Sequence, residues 1–217
     1  MRKVSVFDLD KTLACCNVSF AFGRFLYRQG YIPFFCMGIL VLAYGLHKAG
    51  LFSIEKLHTI SFRLFFYKKE SRLVQSELRT FLDENEKHLF RPCMLEELAR
   101  ASLRGDQLWI QSSSPEFIVG PIAKSLGVSH SIGTQYSIDH DGKFCGIVQI
   151  INGSVKRTHL LKFLQDEGLL LQNVTAYSDS ILDLPLLETV GNPVAVCPDR
   201  ALRKIALIRK WPVIEAK

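Results

Sequence analysis

Val4-Ser5-Val6-Phe7-Asp8-Leu9-Asp10-Lys11-Thr12-Leu13 is the stretch from which the rest of the chain is read. Val4 to Leu9 is a short apolar run of β-type character, and it delivers two carboxylates, Asp8 and Asp10, at its end. Acids that leave a buried strand together are costly unless a cation or a reaction employs them. One ionised carboxylate can attack phosphorus while its neighbour protonates the leaving oxygen. Acidic turns after strands are also common, so D-x-D-x-T alone leaves a structural reading open beside the catalytic one.

Working outward, three further runs match the first: Leu108 to Gln111, Val174 to Tyr177 and Val194 to Val196. Helical patterns fall between and after them, over Pro115 to Leu126, Val155 to Glu167, Leu182 to Val190 and Asp199 to Lys210. Short apolar strands alternating with helices predict an α/β fold, a doubly wound Rossmann-like parallel sheet. The first of these helices carries a start signal, with Ser114 as its cap and Pro115 as its first residue. Ser131 to Ile151 alternates around Asp139-His140-Asp141-Gly142 and predicts a β-hairpin with a tight turn. Residues 15–91 keep helical periodicity throughout. They are expected to form a helical cap inserted into a core made of residues 1–14 and 92–217.

Ligands of such sheets bind beyond the carboxyl ends of the strands, and other candidate groups lie there. Ser112 and Ser113 follow the second run and could hold phosphate oxygens near a helix N-terminus; Ser114 is read as the cap. Lys156 stands at the start of the next helix, where a cation could neutralise phosphate and nucleophile together, although a lone lysine is more often a solvated surface charge. Asp179 and Asp183 follow the third run at a spacing that can bring two carboxylates to one hard cation. An N-cap with a dipole-stabilising acid would explain that pair equally well.

In this order, D-x-D-x-T, strand-end serine, lysine and Asp179-x-x-x-Asp183, the chain resembles the haloacid dehalogenase superfamily of phosphohydrolases, from Val4 to about Val213. The resemblance implies Asp8 as nucleophile and Asp10 as general acid and base, with Ser112 and Lys156 on the phosphate. It also implies Mg²⁺ held by Asp8, the Asp10 carbonyl and Asp179, with Asp183 in support. A cap placed directly after the first motif is similar to the subgroup that contains the phosphoserine phosphatases. Those enzymes carry a glutamate shortly after the nucleophile to grip the substrate amine. Here Asn17 stands in its place, and a neutral amide cannot form that ion pair. Lys11 likewise occupies a position where the family most often has glycine.

The cap holds the charge. Between Ala14 and Thr80 nine Lys or Arg face three acids, an excess of six that equals the net charge of the whole chain, +6. Within it, Tyr31 to Leu46 (YIPFFCMGILVLAYGL) carries no charge. As a helix it would span about 24 Å, short of the ~30 Å hydrocarbon core, so it reads as a buried cap helix or an interfacial segment. The expected substrate is therefore a small or lipid phosphate monoester, with Arg63 of the cap a candidate for the leaving group. A peripheral contact with an anionic membrane is expected through the cap; no nucleic-acid partner is. The six cysteines lack metal-site spacing, and the start MRKVSVFDLD lacks an apolar leader. Both point to a cytoplasmic chain, membrane-associated only through the cap. The alternatives are an amino-acid phosphatase of the phosphoserine type and a non-catalytic membrane or scaffold protein of the same fold.

Overall fold

The structure, a computed structural model, describes residues 2–215. Its strands are β1 (Val4–Phe7), β2 (Gln107–Pro115), β3 (His130–Ile138), β4 (Phe144–Gln149), β5 (Val174–Ser178), β6 (Asn192–Val196) and β7 (Val213–Ile214). Its helices are α1 (Val18–Arg28), α2 (Phe34–Lys48), α3 (Ile54–Phe65), α4 (Ser71–Leu89), α5 (Pro92–Leu103), α6 (Glu116–Ser125), α7 (Gly153–Glu167), α8 (Leu184–Leu187) and α9 (Arg200–Arg209). The chain divides into two compact units. One comprises residues 1–18, 87–133 and 151–217; the other comprises 19–86 and 134–150.

The first unit is the α/β core. Strand order is β4-β3-β2-β1-β5-β6-β7, and β1 pairs in parallel with β2 on one side and β5 on the other, Phe7 lying opposite Ile110 and Tyr177. β5, β6 and β7 continue in parallel. All four residues of β1 are buried, as a central strand covered on both faces requires. Val4, Val6 and Ala176 pack with Leu160, Leu164, Leu186 and Leu202 from the surrounding helices. The sheet is the doubly wound Rossmann-like one the sequence predicts.

Two local expectations are corrected. β2 runs on through Pro115 rather than ending at Gln111, and α6 starts at Glu116 with an extended Pro115 as its cap residue (φ −58°, ψ 140°). A serine run reads as a turn because hydroxyls compete for backbone groups. Here Ser112 and Ser114 spend theirs on a carboxylate across the sheet, and the strand stays extended. The helix expected over Leu182 to Val190 is shorter: a single tight turn, Ile181–Asp183, leads into α8, whose proline follows its first residue.

The second unit is helical, and β4 with the outer part of β3 belongs to it, so the hairpin groups with the cap helices rather than with the core. The reason is aromatic. Phe62 and Tyr136 rings lie 4.7 Å apart, and Phe66 meets both Tyr136 and Phe144 at about 6 Å. The backbone adds Lys68 N to Phe144 O at 2.8 Å and Phe144 N to Lys69 O at 3.0 Å. Gly23 is required by close packing, since a Cβ there would meet the Phe65 ring at 2.6 Å. Among the described side chains of α2, Cys36, Leu40 and Ala43 form a buried stripe, while Phe34, Phe35, Val41 and Leu42 are 77%, 63%, 59% and 65% exposed. No helix of the described residues is long and apolar enough to cross a membrane.

The chain departs from the core at Leu13–Cys15 and returns at Leu89–Arg91. These segments are tied antiparallel: Cys15 N donates to Leu89 O and Arg91 N to Leu13 O, both at 2.8 Å, and Ala14 bridges Phe90.

Candidate active site

The site is built at the carboxyl ends of β1, β2 and β5. Asp8 leaves β1 with its N–H on Tyr177 O at 2.9 Å. The chain then makes one wide turn over Leu9–Leu13, closed by Leu13 N to Asp8 O at 3.3 Å and Ala14 N to Leu9 O at 2.8 Å. The turn needs a left-handed residue, and Lys11 supplies it at φ 60°. For a lysine this costs roughly 1–2 kcal/mol, offset by Lys11 N on Cys16 O and Arg91 Nε on Lys11 O, each at 3.1 Å.

Lys156 lies in the first turn of α7, where Asn152 caps the helix by accepting from Val155 N. Its side chain is 2% exposed. The ammonium donates to Asp8 Oδ1 at 2.6 Å and to Asp183 Oδ2 at 2.8 Å, and Ser178 Oγ donates to the same Asp183 oxygen at 2.7 Å. Burial by itself would lower the lysine pKa, but Asp183 and Asp8 outweigh it and keep the ammonium charged. Asp183 is thus committed to Lys156 and Ser178. Gly153 lets α7 approach this closely: a Cβ there would stand 2.1 Å from Leu182 O.

Asp10 is held differently. Its Oδ1 accepts from Val18 N at 2.7 Å, and its Oδ2 accepts from Ser114 Oγ at 2.6 Å and Ser112 Oγ at 3.2 Å. Burial pushes its pKa up, and these three hydrogen bonds restrain the rise. Asp8 is also pushed well up, by burial first; Lys156 pulls it down, and Asp183, Asp179 and Asp10 push it up again. Asp179, which accepts from Thr12 Oγ1 at 3.5 Å, is raised to about 6 by burial and Asp183, with Lys11 and Lys156 opposing.

This donor set fits a Mg²⁺ ion. Among the described residues no group of three or more His, Cys, Asp or Glu could enclose a metal. Mg²⁺ does not need one: it takes one or two carboxylates and completes its octahedron with water and substrate phosphate. Asp8 and Asp179 are the available carboxylates. The Asp10 carboxylate is engaged by its three donors, which leaves its backbone carbonyl for a cation. The upward-shifted acids are what a nearby divalent charge would relieve.

Of the residues singled out in the sequence, the structure brings together Asp8, Asp10, Ser112, Lys156, Asp179 and Asp183. Ser113 turns aside, its Oγ donating to Ile151 O at 2.6 Å. Ser114 is not the helix cap but a direct partner of Asp10, a correction whose cause is the extra length of β2. Asn17 is exposed, one residue before the Val18 N–H that Asp10 accepts; Arg63 is exposed on α3 in the other unit. Sequence reasoning gave no role to Ser178 or Gly153, and it singled out Thr12 only as the last member of D-x-D-x-T, not as a donor to Asp179.

The sequence from residue 5 to residue 188 matches the family described as haloacid dehalogenase-like hydrolase. The chain belongs to that family, and its chemistry is that of a phosphatase. Among its relatives, the "Probable phosphatase Rv3661" of Mycobacterium tuberculosis is 32% identical over 98% of this chain and 75% of its own length. The "Histidinol-phosphatase" of Neisseria meningitidis is 31% identical over the full length of both chains. A solved structure from Bordetella pertussis, of a protein with unknown function, superposes with a TM-score of 0.88 at 25% identity over all of both chains.

Proposed function

We propose that the protein hydrolyses phosphate monoesters by attack of Asp8 on phosphorus, through an aspartyl-phosphate intermediate, with Mg²⁺ as cofactor. The observation that supports this most is the buried ammonium of Lys156, held between Asp8 and Asp183. It leaves Asp8 Oδ2 as the attacking oxygen and offers a remaining N–H to a phosphate oxygen. Bound Mg²⁺ would neutralise phosphate charge beside Asp8 and Asp179. As the Asp8–phosphorus bond forms, the ester oxygen–phosphorus bond breaks and Asp10 gives its proton to the leaving alkoxide. Asp10 then takes a proton from the water that attacks the aspartyl-phosphate, releasing inorganic phosphate and the Asp8 carboxylate. Its raised pKa suits both directions of transfer. Ser112 and Ser114 hold Asp10 in place, and Ser112 is also read as a phosphate ligand. The test is phosphate release from a panel that includes histidinol phosphate, phosphoserine and detergent-dispersed lipid phosphates, with Mg²⁺ and with EDTA. Activity that EDTA abolishes and Mg²⁺ restores is expected, with phosphoserine a poor substrate because Asn17 cannot pair with its ammonium. Full turnover after exhaustive chelation would overturn the metal assignment.

One feature favours a lipid surface as the place of action. From Phe34 to Tyr44 the exposed side of α2 is apolar and carries no charged residue, Tyr27 lies against Phe34 at 6.2 Å, and exposed Arg24, Arg28 and Lys56 precede and follow this stretch. Such a surface fits the interface of an anionic bilayer, where each basic residue contributes about 1 kcal/mol. Co-sedimentation with phosphatidylglycerol vesicles, weakened by salt and by Phe34→Ser with Phe35→Ser, is expected. Equal recovery with and without vesicles at low salt would exclude it.

A further inference from the structure

Resting on the metal site proposed above, we infer that Asp199 is a positioning residue for Asp179, clamping the loop that carries this ligand to the start of α9. Its first carboxylate oxygen caps the helix: Oδ1 accepts from Ala201 N at 3.0 Å and Leu202 N at 2.8 Å. That much any N-cap aspartate does. The second oxygen does something a cap does not require. Asp199 Oδ2 reaches back to the β5 loop and accepts from Ile181 N at 2.9 Å and Ser180 Oγ at 3.4 Å. The backbone closes the same junction, with Asp199 N donating to Asp179 O at 2.7 Å.

Residues 179–181 are thereby bound at three points to a residue at the head of a ten-residue helix. Ser180 Oγ in turn accepts from Leu182 N at 3.3 Å, and Ser178 Oγ accepts from Ser180 N at the same distance while donating to Asp183. The loop therefore has one side tied to Lys156 through Asp183 and the other tied to α9 through Asp199. Asp179 lies between these ties. Among the described residues its own carboxylate accepts a single long hydrogen bond, from Thr12, so the direction it faces is set by the backbone that Asp199 holds. A ligand oriented in advance binds a cation without first ordering its loop, which is where an outer partner acts on affinity.

Asp199→Asn separates the two roles. Asparagine is as good an N-cap as aspartate and can keep its Oδ1 on Ala201 and Leu202. Its amide nitrogen then faces the Ile181 N–H, donor against donor, and the clamp is lost. Removal of such an outer partner typically weakens metal binding by roughly 10–100-fold. The expected result is a Kd for Mn²⁺, measured by paramagnetic resonance on metal-free protein, raised about tenfold in Asp199→Asn. Thermal stability should stay close to wild type, and the loss of activity should lie in half-saturating Mg²⁺ rather than in kcat. Asp199→Ala should show the same metal defect together with a lowered Tm. Wild-type Mn²⁺ affinity in Asp199→Asn, with only Asp199→Ala impaired, would reduce Asp199 to a cap and overturn the inference. If the wild type binds no divalent ion, the proposed function fails by itself. Amide exchange then decides the clamp: faster exchange across 179–183 in Asp199→Asn sustains it, and unchanged exchange removes it.

Discussion

Asp8 and Asp10 are the same residue type two positions apart, yet their partners are of different kinds. Asp8 faces a cation, Lys156, while Asp10 faces a backbone N–H and two hydroxyls. Asp8→Asn should keep the fold, because the amide oxygen can still accept from Lys156, and should lose at least ~10³ in kcat, on the order of 4 kcal/mol. Near-normal turnover measured in this variant would remove Asp8 as nucleophile. Asp10→Asn should also be impaired, most with alkyl phosphates and least with aryl phosphates, whose leaving groups need no proton; comparing kcat across such a series checks it. At this scale the gathering of the acids was legible because Asp8, Asp10, Asp179 and Asp183 all follow apolar runs whose carboxyl ends a parallel sheet brings together. The partners of Ser114 and Ser178 were not, since a hydroxyl that serves a buried carboxylate and one that caps a turn look the same in one dimension.

Among the elements, α7 and the Ile181–Asp183 turn have the closest junction. With a Cβ at position 153 only 2.1 Å from Leu182 O and 3.1 Å from Asp183 Cα, Gly153→Ala must separate the two or strain them. Overpacking of this kind costs roughly 1–3 kcal/mol, so calorimetry should show Tm lowered by several degrees. Because the displaced turn carries Asp183, kcat should fall more than tenfold, while KM for substrate changes less. Unchanged Tm and kcat would mean that the junction yields freely. The parallel strands were readable because burial on both faces leaves short uncharged runs rich in β-formers, as in VSVF and VTAYS. The end of β2 was not, because its three serines look like a turn until Asp10 is placed opposite them. Nor did the hairpin's own alternation reveal that Tyr136 and Phe144 pack against Phe62 and Phe66.

For the whole molecule, stability should depend on pH in a direction set by the site. Asp8, Asp10 and Asp179 all have folded pKa values raised above their ordinary ones. A raised carboxylate pKa stabilises the fold below the unfolded value and withdraws that support as pH rises through the folded value. For Asp179, raised from 3.8 to about 6, the withdrawal at neutral pH is on the order of 3 kcal/mol. Metal-free protein should therefore melt several degrees higher near pH 5.5 than at pH 7.5. Mg²⁺ should raise Tm at pH 7.5 and raise it less at pH 5.5, where a proton on Asp179 competes with the metal. A Tm that rises steadily with pH, and ignores Mg²⁺, would contradict this account of the site. The paired backbone at Leu13–Cys15 and Leu89–Arg91 has an evolutionary consequence. Because both ends of the 19–86 excursion are pinned side by side, insertions and deletions within it leave the doorway unmoved. Doubling the length of such a loop costs only about 0.6 kcal/mol. Changes of length in the helices outside that doorway can therefore be absorbed there, while the turn between Asp8 and Leu13 keeps its place.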